Sequence, residues 1–291
     1  MRYRRFGRTG WQISAVSLGG AYLMGPDPQR AQEQTRAMLQ HALALGINYI
    51  DTAPLYGQSE ELLGAALVGE KRPFHLATKV GFDPRDFDYR RDSVLRSLER
   101  SLRRLGLDQL GVAQIHEVNL AGWERIMEPG GTLEGLRAAQ VRGLCERIGI
   151  TGRAIPLLAR LANTGEFDTA LVYHDYHPCS QLAAQEVIPA AHAQDMGIVV
   201  ATPLAGGLFV EGPAQAKALA AIEDATERNQ AQQVLDQLRP LTGTLPQKAF
   251  RYLLADERVS TVSSGAATIA ELEEVAQAAD MESLDQQLFN R

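Results

Sequence analysis

The chain has 291 residues, of which 45% are hydrophobic and 22% charged, values ordinary for a globular protein and too apolar for a disordered one. Its length fits one large domain, and a single α/β barrel of about 250 residues is among the few one-domain folds of that size. The formal charge of −6, with no basic run denser than Arg2, Arg4, Arg5 and Arg8, argues against nucleic acid as a partner. No apolar run is long enough to span a membrane and no leader-like apolar core opens the sequence, so a soluble cytoplasmic protein is expected. The two cysteines, Cys145 and Cys179, lack CxxC spacing and are expected as free thiols, with no metal site.

In chain order, Tyr3–Phe6 and Gln12–Ser14 flank Gly7-Arg8-Thr9-Gly10 and read as a hairpin. A first strand is expected at Ala15–Leu18. Asp27-Pro28 then reads as an N-cap with proline at the first helical position. Met38, Leu39, Ala42, Leu43 and Leu45 follow at helical spacing until Gly46. Asn48–Ile50 reads as a strand, and Ser59 as the cap of the helix after it. His75–Thr78 is a further strand, followed by a helix from Asp92 with Val94, Leu95, Leu98, Leu102 and Leu105 on one stripe and Gly106 at its end. Val112–Ile115, Ile148–Ile150, Ala170–Tyr173, Ile198–Ala201 and Val259–Val262 complete the strands.

That makes eight strands alternating with helices, the pattern of a parallel sheet covered by helices. Eight such units suit closure, so the expected fold is a (β/α)8 TIM barrel with an N-terminal β-hairpin, one domain over residues 1–291. In such a barrel the active site lies at the C-terminal ends of the strands. Asp51 ends the second expected strand, Lys79 the third and His116 the fourth, with Tyr56 five residues past Asp51. A free phenol has a pKa near 10, and a neighbouring ammonium favours phenolate and lowers it. A carboxylate holds that lysine charged, and the imidazole orients a substrate oxygen. None of the four donates electrons readily, so a reduction would need a hydride from a bound cofactor. Taken singly, each residue has a plainer explanation as a helix cap, packing or a solvated charge; only their joint placement points to proton transfer.

The run Gly46-Ile-Asn-Tyr-Ile-Asp51-Thr-Ala-Pro-Leu-Tyr56-Gly-Gln-Ser-Glu-Glu-Leu-Leu-Gly64 resembles the signature of the aldo-keto reductase superfamily. Ala77-Thr78-Lys79, Ile115-His116 and Pro203-Leu204-Ala205-Gly206-Gly207 agree in kind and order. The resemblance implies an NAD(P)-dependent oxidoreductase of carbonyls, including sugars. In it Tyr56 is general acid and base, Asp51 and Lys79 tune it, and His116 orients the carbonyl. It further implies that Gly19, Gly20, Asp51, Thr151, Tyr173, Thr202, Leu204, Gly206, Ser264, Gly265 and Glu274 line the cofactor site.

Several positions depart from the family pattern. Thr151-Gly152 replaces the usual Ser-Asn, and Ala201 stands where an aromatic residue often stacks on the nicotinamide. Tyr173 offers an aromatic face instead, with a core role as an equal alternative. Leu171-Val172-Tyr173-His174 and Ala201-Thr202-Pro203-Leu204 are more similar to the sugar-oxidising branch, which includes L-galactose and aldose dehydrogenases. Ala267 and Glu271 stand where basic residues often hold the 2′-phosphate of NADP, which gives a slight lean to NAD. Val275 stands where asparagine is usual beside Glu274, and for these glutamates a solvated helix face is the competing explanation. The substrate pocket is expected near Tyr22, Tyr56, His116 and Trp123. The alternative from another class is a nicotinamide-nucleotide-sensing regulatory subunit with little turnover. A barrel metallohydrolase fits poorly, because neither His-x-His nor clustered carboxylates end the strands. Neither the substrate, the oligomeric state, nor roles for His174, His177 and Cys179 can be read from the sequence.

Overall fold

The computed structural model describes residues 1–25, 27–83 and 86–286. Twelve strands are named here in chain order: β1 Tyr3–Arg5, β2 Gln12–Ser14, β3 Val16–Gly19, β4 Tyr49–Asp51, β5 His75–Val80, β6 Phe82–Asp83, β7 Asp86–Phe87, β8 Leu110–Ile115, β9 Cys145–Gly152, β10 Thr169–Tyr173, β11 Gly197–Ala201 and β12 Thr261–Ser264. Eight of them close a barrel in the order β3-β4-β5-β8-β9-β10-β11-β12, and β12 pairs back onto β3. Every one of these pairings is parallel. The expected (β/α)8 barrel with its hairpin is therefore the observed fold.

Alternation along each strand sorts side chains between two cores, because successive residues of a strand point to opposite faces. Ile50, Leu76, Val80, Ala113, Ile115, Ile148, Ile150, Val172, Ile198 and Val200 pack outward under the helices. Tyr49, Ala77, Val112, Leu171 and Val199 point into the lumen, where Phe6 and Ile13 of the N-terminal hairpin join them at 0% exposure. The hairpin, paired Tyr3↔Ser14 and Arg5↔Gln12, thus plugs the N-terminal end of the barrel. Arg4 ties it down by donating to the carbonyls of Leu254 (2.5 Å), Asp256 (3.1 Å) and Val259 (2.6 Å).

The outer helices follow the expected stripes. Arg91–Leu105 buries Val94, Leu95, Leu98, Leu102 and Leu105, and Gly106 ends it in the left-handed conformation at φ 66°. Asp27 caps a short 3-10 turn, accepting from Gln29 N at 3.0 Å, ahead of the helix Ala31–Ala44. Features outside the eightfold repeat are the small β6–β7 hairpin and two further helices, Pro213–Ala220 and Ala225–Leu238, between β11 and β12. Both cysteines are free, Cys145 buried and Cys179 half-buried. No described helix is long and apolar enough to cross a membrane.

Candidate active site

Asp51 closes β4, Lys79 lies on β5 two residues beyond luminal Ala77, and His116 follows β8. Strand periodicity therefore aims all three at the C-terminal mouth. Tyr56 reaches the same point from the loop after β4, which turns on the bond from Tyr56 N to Ala53 O (3.0 Å). Lys79 Nζ donates to Asp51 Oδ2 at 2.5 Å and to Thr52 O at 2.9 Å, and lies 4.8 Å from the centroid of the Tyr56 ring. The Tyr56 and His116 rings meet edge to face with centroids 5.9 Å apart. The four residues singled out from the sequence are thus brought together, with Lys79 and Asp51 almost fully buried.

The electrostatics differ in one respect from the sequence expectation. Burial pushes the Tyr56 phenol above its ordinary value, and the opposing pull of Lys79 does not fully offset it. The phenol is therefore held as a proton donor. Burial alone would depress Lys79, but Asp51 and Tyr56 more than restore its charge, so its pKa is raised. His116 is pushed down to about 3, by burial first and by the Lys79 charge second. The imidazole is neutral at physiological pH, and its buried Nδ1 has no hydrogen-bond partner among the described residues.

Sequence reasoning missed several residues around this centre. Phe82 lies 5.7 Å from the His116 ring, Phe87 packs edge-on against both Phe82 (5.2 Å) and Tyr89 (5.7 Å), and together they wall one side of the mouth. The Tyr89 hydroxyl donates to His116 O at 2.6 Å, and Thr132 Oγ1 donates to Tyr89 O at 2.5 Å. Two phenylalanines five residues apart in sequence, Phe82 and Phe87, with a proline between them were the available signal. Glu117, directly after His116, adopts φ 58° and accepts from the Tyr173 hydroxyl at 2.5 Å. Arg153 grips Asp175 with two bonds (3.1 and 2.9 Å) beside Tyr173. The Thr78 hydroxyl donates to buried Glu60 (2.6 Å), and Arg104 pairs with that carboxylate, bracing β5 from outside. Beneath the centre, Gln114 Nε2 donates to Asp51 Oδ1 at 2.7 Å.

The remaining site residues spread around the rim. Thr151 donates to Ile115 O (3.0 Å), so its hydroxyl links β9 to β8. Tyr173 and Ser264 end β10 and β12, Thr202, Leu204 and Gly206 follow β11, and Gly265 follows β12. The backbone is left-handed at His174 (φ 62°), Thr202 (52°) and Ala205 (46°), strain that clusters at ligand sites. Nothing lies within 4 Å of where a Cβ on Gly206 would stand, so the rim there is an open cradle. The open rim there, and the half-buried Tyr173 ring that ends β10, leave room for a bound nicotinamide group.

Other expectations are explained by packing. A Cβ on Gly20 would stand 2.7 Å from Ser59 Oγ and 2.9 Å from Asp51 O, and one on Gly19 2.8 Å from Ser264 O. Strand and helix approach account for both glycines. Ser59 does not cap its helix, because its buried hydroxyl bonds Thr52 Oγ1 at 2.8 Å. Trp123 stacks under the Arg160 guanidinium at 3.5 Å. Glu271 forms a capping box with Thr268, its carboxylate accepting from Ala267 N (2.8 Å) and Thr268 N (3.2 Å). Glu274 is half-buried, and its carbonyl accepts from Gln247. His174 N donates to Thr202 Oγ1 (2.7 Å) and His177 Nδ1 accepts from Cys179 N (3.2 Å), so both histidines hold the loop after β10. A separate concavity lined by Met1, Leu45, Glu273 and Asp280 has its charges paired, Met1 N with Asp280 and His41 with Glu273.

A parallel barrel carrying a buried acid–lysine pair, a phenol and a neutral imidazole at its mouth is the arrangement of a barrel oxidoreductase that takes its hydride from a bound cofactor. The Aldo/keto reductase family matches residues 15–291, and the chain belongs to that family. It is similar to L-galactose dehydrogenase of Arabidopsis thaliana, 28% identical over 97% of this chain and 89% of that one. It is also similar to D-threo-aldose 1-dehydrogenase of a Pseudomonas species, 27% identical over 69% of each. A solved aldo-keto reductase from Bacillus halodurans in its holo form superposes with a TM-score of 0.82 at 25% identity, covering 100% of this chain and 97% of that one. The protein is accordingly an oxidoreductase that binds a nicotinamide cofactor and works on carbonyl groups.

Proposed function

We propose that the protein interconverts a small aldehyde or aldose and the corresponding alcohol or lactone, with Tyr56 as general acid in reduction and general base in oxidation. The observation that carries this reading is the buried Lys79–Asp51 pair at 2.5 Å, set against the Tyr56 ring. A bound nicotinamide supplies or accepts the hydride that none of these side chains provides. Tyr173, Thr151, Thr202, Leu204, Gly206, Ser264 and Gly265 would hold it along the rim.

In the reducing direction the carbonyl oxygen gathers negative charge as its carbon takes the hydride. The Tyr56 hydroxyl, kept protonated by burial, gives that oxygen its proton. Lys79 stabilises the phenolate left behind, and Asp51 keeps the ammonium charged and aimed. Neutral His116 bonds the same oxygen without competing as an acid. Phe82, beside the His116 ring, gives the reacting carbon an apolar neighbour, while Glu117 would offer a carboxylate to substrate hydroxyls. That mixture of apolar wall and acceptor suits a polyhydroxylated substrate, the kind named for the two dehydrogenase relatives.

NAD is the favoured cofactor. At the start of the helix Ile269–Gln277 the Glu271 carboxylate already occupies two amides that an extra phosphate would need.

The experiment is steady-state nicotinamide absorbance with NAD⁺ and NADP⁺ against a panel of aldoses, and with NADH and NADPH against a reactive aldehyde. Tyr56→Phe is measured in parallel and should lower kcat about a thousandfold with cofactor binding intact. Turnover retained in Tyr56→Phe would remove the acid–base assignment. Tight cofactor binding by the wild-type protein with no turnover on any substrate would favour a nucleotide-sensing role instead.

A further inference from the structure

We propose that Gln114 is a positioning residue for this reaction: its amide fixes the rotation of the Asp51 carboxylate and so the direction in which Lys79 meets Tyr56. The inference rests on the acid–base reading above. Both oxygens of Asp51 are gripped, Oδ2 by Lys79 Nζ at 2.5 Å and Oδ1 by Gln114 Nε2 at 2.7 Å. All three side chains are buried in the upper lumen. The amide orientation follows from chemistry, since the flipped form would set its carbonyl oxygen against a carboxylate.

The other end of Gln114 explains why a stability role fails to account for it. Oε1 is buried and has no hydrogen-bond partner among the described residues. An orphaned buried acceptor is unfavourable and opposes the gain from the bond to Asp51, so Gln114 adds little net stability. The barrel also makes room for it. Gln114 pairs in register with Gly149, where a Cβ would stand 3.2 Å from Gln114 Cγ and 2.1 Å from Thr169 Oγ1. A polar side chain kept in the lumen with one unsatisfied end, and accommodated by a glycine, is explained by the single bond it makes.

Without that bond the carboxylate turns about its own axis while still pairing with Lys79. The ammonium then loses its fixed approach to the phenol. Its direction matters as charge develops on the phenol oxygen in the transition state. Among the described residues the Gln114 side chain bonds Asp51 and no rim residue, so substrate and cofactor binding should change little.

The test compares Gln114→Met, which keeps length and removes the donor, with Gln114→Glu, which keeps shape and removes the donor. For Gln114→Met, kcat should fall about ten- to a hundredfold, with KM and the cofactor dissociation constant unchanged and the melting temperature little changed, because the bond lost at Asp51 is offset by relief of the orphaned Oε1. Gln114→Glu should lose at least as much, and if its second carboxylate prevents folding, Gln114→Met carries the test alone. Retained kcat in Gln114→Met overturns the proposal. So does a kcat loss accompanied by a lower melting temperature and a raised KM, the pattern of a structural role. Tyr56→Phe assayed alongside separates the two claims: if it remains active the tetrad reading fails, whereas if only Gln114→Met remains active this inference fails by itself.

Discussion

The two ends of the barrel are built on opposite terms. At the N-terminal end, Phe6, Ile13 and Tyr49 fill the lumen, Phe6 and Tyr49 meeting edge to face at 5.1 Å, and the hairpin is clamped by Arg4. At the C-terminal end the lumen holds a lysine, a carboxylate and an amide, and among the described residues four of the five non-glycine positions with positive φ, Glu117, His174, Thr202 and Ala205, follow strands around it. The fifth, Asp195, lies at the other end, where Arg5 holds its carboxylate at 2.5 and 2.6 Å. One fold thus separates the surface that makes it stable from the surface that carries strain and charge.

The separation can be broken most sharply at Lys79. Lys79→Met leaves Asp51 buried with only Gln114 as partner, so it should cost about 3–5 kcal/mol of stability as well as most of kcat. Denaturant titration and steady-state rates on the same preparation check both. Phe6→Ala should do the reverse, losing about 3–5 kcal/mol through a floor cavity while kcat of the folded protein stays within about twofold. A fall in kcat matching the loss of stability would show that floor and mouth are not independent.

The pH profile sharpens the picture of the mouth. His116 titrates near 3, so reduction should show no break from the imidazole between about pH 5 and 8. On the proposed mechanism the acid is Tyr56, a phenol raised by burial, so reduction should decline only on the alkaline side, as Tyr56 loses its proton, and oxidation should gain there. A break near pH 6.5 that disappears in His116→Ala would overturn the neutral-imidazole assignment. The smallest effect is expected at the rim, where Glu271→Gln removes a charge from the helix start. It should raise kcat/KM with NADP about fivefold relative to NAD.

Much of this was legible in the sequence for identifiable reasons. The eight strands stood out because their outward-facing residues are β-branched or leucine, and Asp51, Lys79 and His116 because they interrupt those runs at the ends. Boundaries were missed where polar residues continue the pairing, as at Lys79-Val80, Thr151-Gly152 and Ser263-Ser264. The last strand was placed early because Val259 looks like strand, yet its N–H closes a turn to Asp256 O. What periodicity does not carry is partnership across the sequence. Gln114 with Asp51 and Tyr173 with Glu117 are 63 and 56 residues apart, and nothing local marks them as pairs. The charge state of Tyr56 was equally out of reach, since it turns on how deeply the phenol is buried against how near the ammonium lies.

The bond from the Tyr89 hydroxyl to the carbonyl of His116 has one more consequence. Tyr89 closes the same segment that carries Phe82 and Phe87, so on the proposed function the wall that would admit substrate and the imidazole that would orient it share an anchor. Access and alignment are therefore a single degree of freedom. A change that loosens this segment to hasten product escape also blurs the histidine, so turnover on a bulkier substrate would be gained at the expense of stereochemical fidelity on a small one.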